Sequence, residues 1–137
     1  MRDDRRGQLS LSVVEVTVGL VLVATVAAGF GVGVPAPDVE RAQLDRYAAD
    51  AGTLLADDPA PSGDGSLLAV ASRTPEGFAA TSGALDNRTA ELLPGSVLYR
   101  VETPQGAVGY RPPDGIPVGR ASVPTLAGTV TVRVWYA

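Results

Sequence analysis

The feature that most constrains this chain is a long apolar segment near its N terminus. Residues 8–34 carry one charged side chain, that of Glu15, and they follow a leader with three arginines, MRDDRRG. As a helix the segment would be about 40 Å long at ~1.5 Å per residue, which exceeds the ~30 Å hydrocarbon layer of a bilayer. Pro35 and Pro37 end the helical pattern. The segment therefore predicts one transmembrane helix.

Two other interpretations of this segment stay open. A buried core helix of a soluble protein rarely extends this far without a polar face. A secretory signal peptide has an apolar core of only ~7–15 residues before small residues at its cleavage site. Small residues of that kind occur at 26–28 and at 34–36. The length of the apolar segment favours the membrane span over both.

Basic residues flank the apolar segment unequally. Three arginines precede it, and the first basic residue after it is Arg41. Because positively charged flanks remain in the cytoplasm, we expect a single-pass protein of the cell membrane with a cytoplasmic N terminus and an extracellular C-terminal part. The chain then consists of a charged leader (1–7), a transmembrane helix (8–34) and an extracytoplasmic head (35–137).

The junction RRGQLSLS resembles the class III signal peptide of archaeal type IV pilin-like proteins. In that family a membrane peptidase cuts after a glycine, so the resemblance implies cleavage between Gly7 and Gln8. Gln8 and Ser10 then match the first and third mature positions of the family. The fifth position, a glutamate in the family, is Ser12 here, and the available acid is Glu15 at the eighth. The chain also resembles a haloarchaeal family of small membrane-anchored proteins of unknown function, which open on RGQLSLSVVE and close on VRVWYA.

Glu15 has two interpretations of equal weight. A charged side chain at the centre of a bilayer costs ~2.5–3.5 kcal/mol by insertion scales, so an acid in such a segment usually has a partner. The amine of Gln8, exposed by cleavage, would be a cation able to pair with Glu15 of a neighbouring helix. In the other interpretation Glu15 lies in the headgroup layer, while Ser10 and Ser12 bond to their own helix.

The composition excludes several classes of function. The chain has no Cys and no His, which removes thiolate nucleophiles, disulfides, zinc sites and imidazole bases. All eleven basic residues are arginine and fifteen residues are acidic, so nucleic acid is not an expected partner. The acid-rich, lysine-free composition is typical of a salt-adapted proteome. Asp57, Asp58 and Asp64 do not follow the spacing of a calcium loop, so we predict no metal. Serine without histidine lacks the usual catalytic base and no phosphate-binding loop is present, so we also predict no cofactor and no enzymatic activity.

Two stretches of the head have helical periodicity. Asp38 is a candidate N-cap for a helix over 39–56. Thr74 and Pro75 begin a second helix that extends to about Leu93. Residues 66–72 fit either a short helix or a strand. The predicted inner-face residues of the two helices are Leu44, Tyr47, Ala48, Ala51, Leu54 and Leu55 in the first, and Phe78, Leu85 and Leu92 in the second.

After Pro94 the apolar period changes to two, which is typical of strands. Valines and tyrosines alternate with other residues over 97–102 and 130–136. A turn at 103–106 leads to a strand over 107–111, and a further strand near 117–123 precedes a turn at 127–128. We therefore expect an α+β fold in which an N-terminal transmembrane helix is followed by a small domain of two helices packed on a four-stranded antiparallel meander. Type IV pilin heads share this general plan.

Asn87-Arg88-Thr89 is an N-glycosylation sequon, and the helical register places Asn87 away from the face of Leu85 and Leu92. The sequon makes Asn87 a candidate glycosylation site of an outward-facing domain, although three-residue sequons often arise by chance. Thr89 falls close to the buried face.

The resemblance implies a structural pilin-like subunit, a minor pilin or pseudopilin, of an archaeal type IV pilus-like surface filament or secretion system. Its partners would be other pilin-like subunits, a prepilin peptidase, an assembly ATPase and a membrane platform. The alternative is a single-pass membrane-anchored binding module that does not polymerise and holds another envelope protein through Trp135 and Tyr136. A secreted carboxylate-dependent hydrolase is the least favoured class.

Overall fold

The structure is a computed structural model that describes residues 37–137. Three helices precede four strands, in the order α1 (Pro37–Asp57), α2 (Leu67–Arg73), α3 (Pro75–Leu92), β1 (Val97–Thr103), β2 (Gly106–Gly109), β3 (Gly119–Thr125) and β4 (Gly128–Tyr136). This confirms the α+β class and the four antiparallel strands. The predicted leader and transmembrane helix, residues 1–34, lie outside the described residues. Within 37–137, none of the helices combines the length and hydropathy needed to cross a membrane.

Helix α1 packs its predicted apolar side onto the sheet. Four of the expected inner-face residues are at most 2% exposed, namely Leu44, Ala48, Ala51 and Leu55. Tyr47 is half-buried and Leu54 is 46% exposed, so the prediction for Leu54 was wrong. The helix begins one residue before Asp38, which therefore lies in the first turn rather than at the cap. An acid in that turn still interacts favourably with the positive end of the helix dipole.

The helical layer contains three helices where two were expected, because residues 67–73 form α2. The side chain of Ser66 caps this helix by accepting a hydrogen bond from the backbone NH of Ala69 at 3.2 Å. Thr74 caps α3 in the same way, accepting from the NH of Gly77 at 2.9 Å, with Pro75 in the first turn as predicted. A single residue thus ends one helix and starts the next.

The strand order is β2-β1-β4-β3, so the predicted meander was wrong. Strand β1 pairs with β4 as well as with β2, and the link over 110–118 carries the chain from one edge of the sheet to the other. The two most apolar strands are β1 and β4. Placing them in the centre buries both under the helices, while the shorter or more polar strands β2 and β3 form the edges.

The helices cover one face of the sheet. The two central strands direct six buried side chains toward the helices, namely Val97, Tyr99, Val101, Val130, Val132 and Val134. These are the alternating positions predicted from the sequence. We call the opposite side the outer face; it is formed by Leu98, Arg100, Glu102, Arg120, Ser122, Pro124, Thr129, Thr131, Arg133 and Trp135.

Strand β3 begins in direct contact with the backbone of α1 at Gly119, and this contact leads to a stability prediction. A Cβ atom at Gly119 would overlap the carbonyl group of Leu44. We therefore expect Gly119→Ala to lower the free energy of unfolding by about 1–3 kcal/mol, because the two backbones must separate. Trp135, the single tryptophan, is buried, so its fluorescence reports thermal unfolding of the full chain.

The matched control is Gly83→Ala in α3, where nothing lies within 4 Å of the added Cβ. This change should raise stability by about 0.5–1 kcal/mol, since alanine favours a helix interior over glycine. Equal effects of the two substitutions would refute the proposed backbone contact.

Candidate functional site

Three arginines lie side by side on the outer face, one on each of three neighbouring strands. The β1–β4 register places Arg100 opposite Arg133, and the β3–β4 register places Arg120 opposite Arg133. Directly opposite residues of antiparallel strands point to the same face, with Cβ atoms about 4.5–5.5 Å apart. These three residues form a continuous line across the strands, which we call the arginine row.

Within the described part of the chain, one carboxylate pairs with guanidinium groups of the arginine row, while Asp45 Oδ1 accepts from the backbone NH of Arg120 at 2.8 Å. Arg100 Nε donates to Glu102 Oε1 at 3.0 Å, and Arg133 Nη1 lies 3.4 Å from the same oxygen. The exposed guanidinium of Arg120 has no ion pair among residues 37–137. Since like charges directly opposite one another destabilise a sheet, a surplus of positive charge at this place favours an anionic partner.

Arg133, at the centre of the row, has an unused donor. Its Nε is buried and has no hydrogen-bond partner within residues 37–137. Its side chain is 28% exposed, so the guanidinium still reaches the surface. A guanidinium offers five N–H donors in a fixed planar arrangement that suits carboxylates and phosphates. The row is therefore the described feature best suited to bind an anionic group.

The other charged cluster of the head is structural. Arg88 of α3 donates from Nε to Asp58 Oδ2 and lies 3.3 Å from Glu91 Oε2, which ties α3 to the loop after α1. The hydrogen bond to Asp58 raises the pKa of Arg88. Asp58 is thus engaged by an arginine. Across 37–137, no group of three or more acidic, His or Cys side chains is placed to hold a metal ion.

Tyr99 joins the sheet to α3 through its hydroxyl group. The hydroxyl lies 2.9 Å from the carbonyl oxygen of Asp86 and 2.8 Å from Asp86 Oδ1, so these two oxygens of the same residue share it as a donor. Its ring meets that of Tyr110 edge to face, with centroids 6.4 Å apart. Burial, together with the hydrogen bond to Asp86, raises the pKa of the Tyr99 phenol far above its ordinary value. The phenol is therefore neutral at physiological pH and acts as a structural donor.

This shift predicts a loss of stability at alkaline pH. Because the folded-state pKa of Tyr99 lies above the unfolded value near 10, its contribution is complete below about pH 10 and decreases as the pH rises further. Tyr99→Phe should cost about 1 kcal/mol at neutral pH and should reduce the alkaline loss. Thermal unfolding at about pH 8 and about pH 11 tests this; an identical alkaline loss in both proteins would contradict it.

Of the predicted site residues, Asn87 is the one that falls within the described structure. Gly7, Gln8, Ser10, Ser12 and Glu15 lie outside it. Asn87 is exposed on α3, as its helical register predicted. Thr89 of the same sequon is fully buried, and its hydroxyl donates to the Leu85 carbonyl at 2.7 Å. The folded head thus presents the asparagine and hides the threonine of the sequon.

The two aromatic residues suggested as a binding surface are placed differently. Trp135 lies on the outer face but is 1% exposed, and Tyr136 is half-buried against the helix-covered core. Trp135 is therefore unavailable as a contact residue, and that part of the alternative hypothesis was wrong. The arginine row was not predicted. The sequence did contain a signal for the row. In the alternating pattern of their strands, Arg100 and Arg133 fall on the side of the sheet that does not carry the valines.

Comparison with known proteins gives one match. The sequence matches a family described as a family of unknown function (DUF7262) over residues 5–136, which includes both the apolar segment and the head. Comparisons with curated proteins and with solved structures gave no match. Since the family match covers nearly the whole sequence, the chain belongs to the DUF7262 family of unknown function.

Proposed function

We propose that this protein is a structural pilin-like subunit, a minor pilin or pseudopilin, of an archaeal type IV pilus-like filament or secretion system. The observation that carries the proposal is the junction RRGQLSLS, in which a short basic leader ends in Gly7 directly before an apolar segment of membrane-spanning length. By resemblance to pilin-like proteins, a membrane peptidase removes the leader after Gly7, and residues 8–34 then anchor and assemble the subunit.

The architecture of the head supports this proposal. Helix α1 begins at Pro37, three residues after the end of the apolar segment, and it leads into a helical layer on an antiparallel sheet. The family match extends over both parts, so they belong to one type of protein. A head with this plan on an N-terminal apolar helix is the general organisation of type IV pilins.

The proposal also specifies location and partners. The leader remains in the cytoplasm, the apolar segment spans the cell membrane once, and the head faces outward, because basic residues concentrate before the span. The partners, by resemblance, are other pilin-like subunits, a prepilin peptidase, an assembly ATPase and a membrane platform. Glu15 and the new amine of Gln8 are the groups proposed to pair between neighbouring helices.

The direct experiment determines the N terminus of the mature chain. The full chain is produced in an archaeal host with a class III peptidase, and the membrane fraction is analysed by intact mass and N-terminal sequencing. We expect a chain that begins at Gln8 and sediments with membranes. A chain that begins at Met1 in a peptidase-competent host would refute the proposal.

The arginine row favours a second candidate, an anchored module that binds an acidic envelope protein and does not polymerise. Its surface would be the outer face around Arg120 and Arg133, since Trp135 is buried. The two candidates differ in their dependence on Gly7. A binding module keeps its location and its partner when the leader is retained, whereas a pilin subunit loses assembly.

A further inference from the structure

Charge is segregated between the two layers of the head. Residues 37–92, which include all three helices, contain ten acidic and four basic residues. Residues 93–137, which include the sheet, contain two acidic and four basic residues. The helical layer therefore carries a net charge of −6 and the sheet layer one of +2. Because the helices cover only one face of the sheet, the head has an acidic side and a basic outer face.

The acidic side includes a long stretch without a basic residue. Residues 47–72 contain four acidic residues and no basic residue. Within them, Asp57 and Asp64 are exposed, while Asp58 is paired with Arg88. Asp64 lies between Gly63 and Gly65, which have positive φ angles and open space around them, so its carboxylate stands at the tip of the loop. We call residues 57–66 the acidic loop.

The arginine row has the complementary properties. Arg100 and Arg133 share the carboxylate of Glu102, whereas Arg120, exposed at the β3 edge, has no ion pair within residues 37–137. Ser122 and Thr131 are paired on the same face, at the outer-face position next to the Arg120–Arg133 pair, and each carries a hydroxyl group. Arg120 therefore offers unpaired donors to carboxylates that approach from solvent.

We propose that the arginine row binds the acidic loop of a second copy of this chain, so that heads associate head to tail. The inference deepens the proposed function and rests on it, since it names the contact between subunit heads. The two surfaces are different patches of one molecule, so the contact is heterologous. A heterologous contact repeats along an open series of copies unless its rotation closes a ring, which suits a filament.

The test uses disulfide crosslinking, because the chain contains no cysteine. Two full-length variants are produced in the same membranes, Ser122→Cys on the outer face and Ser62→Cys in the acidic loop. Both positions are exposed, and both leave the arginine row and the acidic residues unchanged. Mild oxidation should yield the mixed crosslinked dimer. The matched control uses Ala80→Cys, an exposed position on α3, in place of Ser62→Cys. It should form little crosslink with the Ser122→Cys chain.

Charge reversal then tests the chemistry of the contact. Arg120→Glu in the Ser122→Cys chain should lower the crosslinked yield about tenfold, because a carboxylate at this position would repel the acidic loop. Adding Asp57→Arg and Asp64→Arg to the Ser62→Cys chain should restore it. As a control, Glu76→Arg on α3 replaces the two aspartate reversals in the Ser62→Cys chain. It changes the net charge as much as one of those reversals and should not restore the crosslinked yield. Trp135 fluorescence verifies that each variant is folded.

Several outcomes would overturn the inference. An unchanged yield with Arg120→Glu, or no recovery in the combined variant, would exclude the acidic loop as the partner. Retention on vesicles of phosphatidylglycerol that depends on Arg120, with unchanged crosslinking, would assign the row to anionic lipid instead. The N terminus is determined in the same samples. A Gln8 start without crosslinking refutes this contact alone, and a Met1 start with crosslinking refutes the proposed function alone.

Discussion

Gly7→Val is expected to abolish the proposed processing, so that nearly all molecules keep residues 1–7 and begin at Met1. The proposed cleavage site lies directly after Gly7, and valine would place a stiff, β-branched side chain next to the scissile bond, where glycine has none. The unprocessed chain would keep the proposed membrane span and would lack the amine of Gln8 that cleavage is proposed to expose. We therefore expect it in the membrane fraction, absent from filaments. Intact mass of the membrane fraction and immunoblots of sheared filaments measure both effects.

The matched control for this experiment is Gly29→Val, which makes the same substitution deeper in the apolar segment and leaves the junction unchanged. It should be processed like the unmodified chain. Normal trimming of Gly7→Val, or equal retention of the leader in both variants, would contradict the assignment of the cleavage site.

Trp135→Ala is expected to have the largest effect on the stability of the head, a loss of about 3–5 kcal/mol. The side chain is 1% exposed on the outer face, and its removal leaves a large cavity beside Leu98, its partner in the β1–β4 register. Because small domains are stable by only about 5–15 kcal/mol, this change should bring the head close to unfolding at physiological temperature. Since the substitution removes the fluorescent reporter, circular dichroism of the full chain measures the thermal midpoint.

Tyr110→Ala is the comparison for this effect. Tyr110 is an aromatic residue that is 58% exposed, so its truncation should change stability far less. Trp135→Phe should have an intermediate effect, because it keeps most of the ring volume. A loss for Trp135→Ala no larger than that for Tyr110→Ala would show that the tryptophan does not contribute to packing.

Local chemistry explains why the individual elements were predictable. Thr74 and Pro75 are a cap and a first-turn residue, and they mark the start of α3 from sequence alone. Alternation over 97–101 and 130–134 identified the face of the sheet that the helices cover. Helix α2 has only seven residues, too few for a periodic pattern to distinguish it from a strand.

Long-range pairing explains what could not be predicted. The position of β4 between β1 and β3 depends on which strands bury most apolar surface together, a property of the whole sheet. The arginine row follows from that pairing, since Arg100, Arg120 and Arg133 are far apart in sequence and become neighbours only through the register. Alternation likewise placed Trp135 on the outer face correctly, but it carries no information about whether that position is covered.

The central position of β4 has a consequence for the order of events during biosynthesis. Within residues 37–137, strand β3 pairs only with β4, and without β4 strand β1 has only the short strand β2 as a partner. An isolated two-stranded hairpin is at best marginally stable in water. The sheet therefore assembles only after residue 136 has left the ribosome, and in an exported chain only after it has left the translocon. Under the proposed function, docking of one head on another would therefore follow complete export of each subunit.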